Sequence, residues 1–277
     1  MCDTCGCGQE GENVTIRKVG GEETVTSNSN HNHSHDHNHS HDHNHSHEDH
    51  HHHHHHDREI IIEQDVLQKN NLFAERNRGY FEAKKLIVLN LVSSPGSGKT
   101  SLLEKTILAL KDREKFYVIE GDQQTMNDAE RINSTGSQVV QINTGQGCHL
   151  DSSMVRNAFD QLDIDEEGGF LMIENVGNLV CPALFDLGES KRVVVMSVTE
   201  GEDKPVKYPT MFQSADLCII NKTDLLPYLD FDLPKAIQYA KQVNPKLEFI
   251  ELSVRSGENM EKWYSWLTDL KVEELNL

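Results

Sequence analysis

Two short stretches combine residue types that suit nucleotide chemistry. In SSPGSGKT, residues 93–100, small side chains would let a loop pass close to phosphate without Cβ clashes. The backbone N–H groups of Gly96, Ser97, Gly98, Lys99 and Thr100, with Ser101 beside them, are then placed to cradle phosphates at a helix start. Lys99 is expected to reach the β- and γ-phosphates, and the Thr100 hydroxyl to coordinate Mg²⁺. The generic phosphate loop opens on glycine, whereas this one opens on Ser93. The second stretch is NKTD, residues 221–224. The Asp224 carboxylate can accept from N1–H and N2–H₂ of guanine together. Adenine lacks that donor pair, and an unpaired buried carboxylate is costly, so the motif selects GTP over ATP. Asn221 opens the motif, and the Lys222 stem can pack on the base plane. Ser253, Val254 and Arg255, in SVRSG, could supply backbone N–H groups to the guanine oxygen.

Two carboxylates can complete a magnesium site. Asp122 lies in EGDQQT, and Glu174 closes FLMIE and opens ENVG, where many GTPases carry Asp-x-x-Gly. Either can hold Mg²⁺ directly or through water. Asp122 could instead cap the helix that follows it. Gly177 leaves a backbone N–H free to meet a γ-phosphate, a switch-like arrangement.

Three further groups suit soft or borderline metals. Cys2, Cys5 and Cys7 stand together in MCDTCGCG. Three thiolates so close can wrap one cation, Ni(II) if square-planar or Zn(II) if tetrahedral. The histidine tract, His31 to His56, alternates His with polar residues and ends in a run of histidines. It can hold several divalent ions with modest selectivity or serve as a solubilising linker, and an inserted affinity tag would account only for the final run. Cys148 and His149 are adjacent in INTGQGCHLD, and Cys181 lies in NVGNLVCP. An adjacent Cys-His pair needs Cys181 or a second subunit to complete a metal site. Cys181 follows Glu174 on the segment that would sense the γ-phosphate, so hydrolysis could move it and change metal affinity. Cys218, inside an apolar run, is expected in the core.

These residues need a scaffold, and the pattern along the chain supplies one. All but one of the 17 histidines lie in the tract, and residues 8–57 hold almost no large apolar side chains. Such a stretch cannot bury a core, so residues 1–57 are read as a disordered metal-binding tail. The second unit, residues 58–277, is long enough for one α/β domain. A helix is predicted over residues 60–81, from Val66, Leu67, Phe73, Ala74, Tyr80 and Phe81. Apolar runs at 86–92, 116–120, 139–142, 170–174, 193–198, 217–221 and 249–253 predict strands. Helical patterns fall between several of them, at 100–111, 125–132, 152–162, 233–243 and 260–270. This alternation implies a mostly parallel sheet flanked by helices, with ligands at the carboxyl ends of the strands. The net charge of −19 argues against nucleic-acid binding. No apolar run suits a membrane helix and no signal peptide is evident, so a cytoplasmic protein is expected, its cysteines thiols or metal ligands.

Taken together, CDTCGCG, the histidine tract, SSPGSGKT, EGDQQTMNDAERI, QINTGQGCHLD, ENVGNLVCP and NKTD resemble the hydrogenase nickel-incorporation GTPases, the HypB family. Ser93 and Glu174 depart from generic GTPase patterns but fit this one. The resemblance implies a P-loop GTPase fold of the SIMIBI class and nickel delivery to the large-subunit precursor of a [NiFe]-hydrogenase. It implies a partner chaperone of the HypA type and a nucleotide- and metal-dependent homodimer. It places tight nickel binding at Cys2, Cys5 and Cys7, and a nickel or zinc site at Cys148, His149 and Cys181. A urease-type nickel GTPase, or a metal-storage protein whose nucleotide domain only switches a dimer, are the alternative readings.

Overall fold

The structure, a computed structural model, describes residues 14–20, 55–123 and 126–275. Cys2, Cys5, Cys7 and the histidines up to residue 54 lie outside the described residues. Eight strands form one sheet: β1 Thr15–Lys18, β2 Leu86–Ser93, β3 Phe116–Asp122, β4 Gln138–Asn143, β5 Gly169–Gly177, β6 Lys191–Ser197, β7 Leu217–Asn221 and β8 Glu248–Glu251. Their order is β1-β4-β3-β5-β2-β6-β7-β8. Every pairing is parallel except that of β1 with β4. Helices cover both faces: α1 His55–Ala83, α2 Lys99–Leu110, α3 Asn127–Asn133, α4 Ser152–Phe159, α5 Lys204–Lys207, α6 Pro209–Gln213, α7 Leu233–Val243 and α8 Met260–Leu275.

The core explains the arrangement. Strand β2 is buried at every position, as a central strand covered on both faces must be. On one side, Leu102, Leu103, Ile107, Trp263 and Leu267 of α2 and α8 pack on Leu89, Leu91 and Met172. On the other, Phe81, Val155 and Phe159 of α1 and α4 pack on Val88, Ile119 and Leu171. Further along that face, Met211, Phe212 and Ala240 of α6 and α7 meet Val194 and Ile220. Cys218 is 1% exposed there, so it is a core residue, and burial pushes its thiol pKa far up.

Three differences from the sequence reading have physical causes. Residues 15–18 were expected within a tail without fixed structure, yet they form β1. The strand pairs antiparallel with β4, and Ile16 is buried beside Val140 and Ile142. A short segment with only Val14, Ile16 and Val19 apolar is a weak strand signal until an open sheet edge offers it hydrogen bonds and a core to pack on. The inward face of α1 carries Asn70 and Asn77 as well as Ala74 and Phe81. Asn77 Nδ2 donates to the carbonyls of Ser152 and Leu187, and Asn70 Nδ2 to that of Asp186, so burial of these amides is satisfied. Tyr80, expected inward, is 47% exposed and lies under the Arg156 guanidinium, 3.6 Å from its ring centroid. The short helices α5 and α6 each open on or beside a proline, which suits a first helical turn but left no periodic pattern to read.

Candidate nucleotide and metal site

Strand β2 delivers the phosphate loop to the carboxyl edge of the sheet, and α2 begins at Lys99. Gly98 takes φ 105°, and a Cβ there would sit 2.5 Å from Asn221 Nδ2, so only glycine fits. That amide nitrogen donates to the Ser97 carbonyl at 2.8 Å. Lys222 adopts φ 65° and sends its ammonium across to the Gly96 carbonyl at 2.7 Å. The two sequence motifs are thus bolted together through Asn221 and Lys222. Asp224 Oδ1 accepts from Ser253 Oγ at 2.6 Å, which orients its carboxylate. The Val254 N–H is used by Asn221 Oδ1 at 3.2 Å, and the Ser256 N–H by Ser253 Oγ at 3.1 Å. The loop after β8 therefore has fewer amides to offer a base oxygen than its sequence suggests, and Arg255 and Ser256 are exposed.

A cleft of about 400 Å³ opens beside the loop, lined among others by Lys99, Thr100, Glu120, Asp122, Asp128 and Glu174. A larger cleft of about 530 Å³ lies at the opposite, amino ends of β6, β7 and β8, where this architecture does not place ligands. Thr100 Oγ1 donates to Glu174 Oε1 at 2.7 Å, and Lys99 Nζ to Ser93 Oγ at 2.7 Å. Ser93 thus receives the lysine that the sequence reading expects to reach phosphate. Burial lowers the Lys99 pKa, an effect that the Glu174 charge opposes. Burial raises the Glu174 pKa, with Lys99 working against it.

Sequence reasoning missed Glu120, Asp128, Arg131 and Glu200. Glu120 stands directly opposite Glu174 across the β3–β5 ladder, and the two are 2% and 5% exposed. One carboxylate oxygen of each, Oε2, is buried without a hydrogen-bond partner. Burial first, then the neighbouring Glu174 charge, pushes the Glu120 pKa up to about 8. An acid closing an apolar strand was the available signal, but its partner is set by strand register. Ser97 Oγ donates to Glu200 Oε1 at 2.7 Å, and Arg131 reaches Ser101 Oγ at 3.2 Å, so both brace the phosphate loop from other elements.

The Glu120 shift makes a prediction. Between pH 4.5 and about 8 the folded protein keeps a proton that the unfolded chain has released. Stability of the cation-free protein therefore falls as pH rises through that window, by a few kcal/mol in order of magnitude, roughly 4. Glu120→Gln carries no such proton and should flatten the slope. Thermal melts at pH 5 and pH 8.5 without divalent ions check this; parallel slopes for the two proteins would refute it.

Beyond β5 the chain turns so that Cys181 meets Cys148. Among the described residues, Cys148, His149 and Cys181 offer ligand atoms that all lie within 4.8 Å of one another. The two sulfurs are 2.7 Å apart, and Cys148 Sγ is 3.7 Å from His149 Nδ1. The imidazole stacks on Phe185, ring centroids 3.9 Å apart. Burial lowers its pKa, with Asp151 opposing, which favours the neutral ring that metals bind. The two sequence-distant halves of the proposed metal site are thus one cluster.

Residues 87–251 match the family described as CobW/HypB/UreG, nucleotide-binding domain. A hydrogenase maturation factor HypB from Azotobacter vinelandii is 62% identical over 210 residues, covering 76% of this chain and 69% of that protein. The chain belongs to the HypB family. The HypB of Escherichia coli K12 is 60% identical over 210 residues, covering 76% of this chain and 72% of its own length. The crystal structure of HypB from Helicobacter pylori in complex with nickel superposes with a TM-score of 0.71 at 41% identity. It covers 74% of this chain and 96% of that one. Membership makes this a hydrogenase maturation factor with a nucleotide-binding domain. No helix among the described residues is long and apolar enough to cross a membrane.

Proposed function

We propose that the chain is a magnesium-dependent GTPase that stores nickel and helps insert it into a [NiFe]-hydrogenase large-subunit precursor. The observation that carries this reading is continuity. Strand β5 brings Glu174 against Thr100, ends at Gly177, and runs within residues 178–181 into the Cys148–His149–Cys181 cluster. One stretch of backbone therefore touches both the phosphate end and the sulfur ligands. The nickel complex of the H. pylori relative supports nickel as the cargo.

In this reading Thr100, Asp122 and Glu174 hold Mg²⁺, which when bound supplies charge stabilisation for the transferring phosphoryl group. The partnerless buried oxygens of Glu120 and Glu174 fit a cation, since two facing carboxylates without one are unstable in a dry cleft. Residues 96–101 bind the phosphates, and Lys99 neutralises charge at the β–γ bridge. The Gly177 N–H meets the γ-phosphate and is released on hydrolysis to GDP and phosphate. Asn221, Lys222, Asp224 and the loop of Ser253, Val254 and Arg255 hold guanine. This reading assigns none of the described residues as a general base; turnover is slow and the GTP state acts as a timer. Cys148, His149 and Cys181 take Ni²⁺, or Zn²⁺ in competition with it. Cys2, Cys5 and Cys7 form a tight entry site, and the histidine tract is a reservoir. A HypA-type chaperone and a second copy of the chain, acting as a cytoplasmic homodimer, complete the transfer.

The test uses the full chain with Cys2, Cys5 and Cys7 changed to serine, so that nickel–thiolate absorption reports only the internal cluster. Nickel affinity is measured against a competing chelator, with saturating GDP and with a non-hydrolysable GTP analogue. A ratio of about 5- to 150-fold between the states is the expected coupling. Equal affinities would remove nucleotide gating from the proposed function.

A further inference from the structure

We infer that Asn175 is the positioning residue through which the nucleotide end of β5 sets the geometry of the Cys148–His149–Cys181 cluster. This rests on the gated-carrier reading above and names the side chain that performs the gating.

Asn175 follows Glu174 directly and is 1% exposed. Its side chain cannot serve solvent, so its hydrogen bonds are internal and few. The amide oxygen accepts from the Val176 N–H at 3.0 Å and from the Leu150 N–H at 3.3 Å. Leu150 is the residue after His149, so this contact holds the backbone that carries two of the three ligands. The amide nitrogen donates to Asn90 Oδ1 at 3.3 Å, and Asn90 Nδ2 donates to Glu189 Oε1 at 3.0 Å. Glu189 also receives the Arg192 guanidinium, from Nε at 2.9 Å and Nη2 at 2.7 Å. Arg192 in turn donates to the carbonyls of Ala183 and Phe185, at 3.1 and 2.8 Å. Ala183 lies within the turn Cys181–Leu184 and Phe185 closes it, and Phe185 is the ring on which His149 stacks.

Asn175 therefore holds both ligand-bearing segments, one through Leu150 and one through a buried polar relay. A shift of the β5 backbone at Glu174 on cation and γ-phosphate binding carries the adjacent Asn175 with it. In a packed interior the relay has no slack to absorb such a shift, and each of its members would lose a buried hydrogen bond if left behind. Asn178 adds a local tie, its amide donating to the Cys148 carbonyl at 3.4 Å. That contact follows the ligands and does not reach Glu174.

The experiment extends the nickel measurement to Asn175→Ala in the same full-length triple-serine background. Both nucleotides are saturating, so any change in nucleotide affinity drops out. The ratio of nickel affinities is expected to collapse to within about twofold of one, against the coupling in the background. A ratio equal to that of the background overturns the role of Asn175 while leaving the gated carrier intact. A background ratio of one overturns the gated carrier, and this inference with it. A second measurement does not depend on the variant folding. Hydrogen exchange of the Leu150 amide in the unsubstituted, nickel-free chain is expected to change by about tenfold or more between the GDP and GTP-analogue states. An unchanged rate overturns the inference.

Discussion

Lys99→Ala is expected to lower GTP turnover by about a thousandfold or more, measured as phosphate release under saturating GTP. The magnitude follows from removing a fixed cation aimed at charge that grows in the transition state. The structure makes Lys99 hard to replace. It is 7% exposed and its ammonium is held by Ser93 Oγ, so no neighbouring side chain can take its place without repacking the loop. Its charge also faces Glu174, which is buried and already raised in pKa. The substitution therefore leaves Glu120 and Glu174 with less compensation, and melting temperature should be followed alongside turnover. A folded variant with near-normal hydrolysis would sink the assignment of the phosphate loop.

The second large effect concerns the base. Asp224→Asn should shift preference from GTP toward xanthosine triphosphate by a factor on the order of 10³. Guanine presents two donors to the carboxylate. Xanthine replaces the exocyclic amine with a carbonyl, which matches the donor that an asparagine amide supplies. Ser253 Oγ holds the Asp224 carboxylate at 2.6 Å, so the replacement amide keeps a neighbour that fixes its orientation. Competition between the two nucleotides, read as relative affinity, decides the matter. An unchanged preference would mean that guanine is selected elsewhere, with the loop carrying Ser253, Val254 and Arg255 the next place to look.

Much of the site was legible because its signals are local. A phosphate loop needs small residues, lysine and threonine at consecutive positions between a strand and a helix, and residues 93–100 place them so. The guanine motif needs a carboxylate just past an apolar strand, which NKTD provides after β7. Predicted strands fell within a few residues of observed ones, because strands buried on both faces read as apolar runs. The misses share another property. Glu120 gains its meaning only opposite Glu174, Asn175 only through Leu150 and Asn90, and Glu200 only through Ser97. None of these pairs has a spacing that a period could reveal.

By itself, then, the sequence determined the fold class and picked out the phosphate-loop and guanine motifs and the candidate sulfur and imidazole ligands. Each depends on residue type and on neighbours a few positions away, where chain geometry is nearly invariant. The tertiary structure decided which distant residues meet. It paired β1 with the open edge of β4, set two buried carboxylates face to face, and bound Asn221 to the phosphate loop. It also brought Cys181 onto Cys148 and His149. Those meetings depend on strand order and register, which are settled by burying both faces of the whole sheet at once.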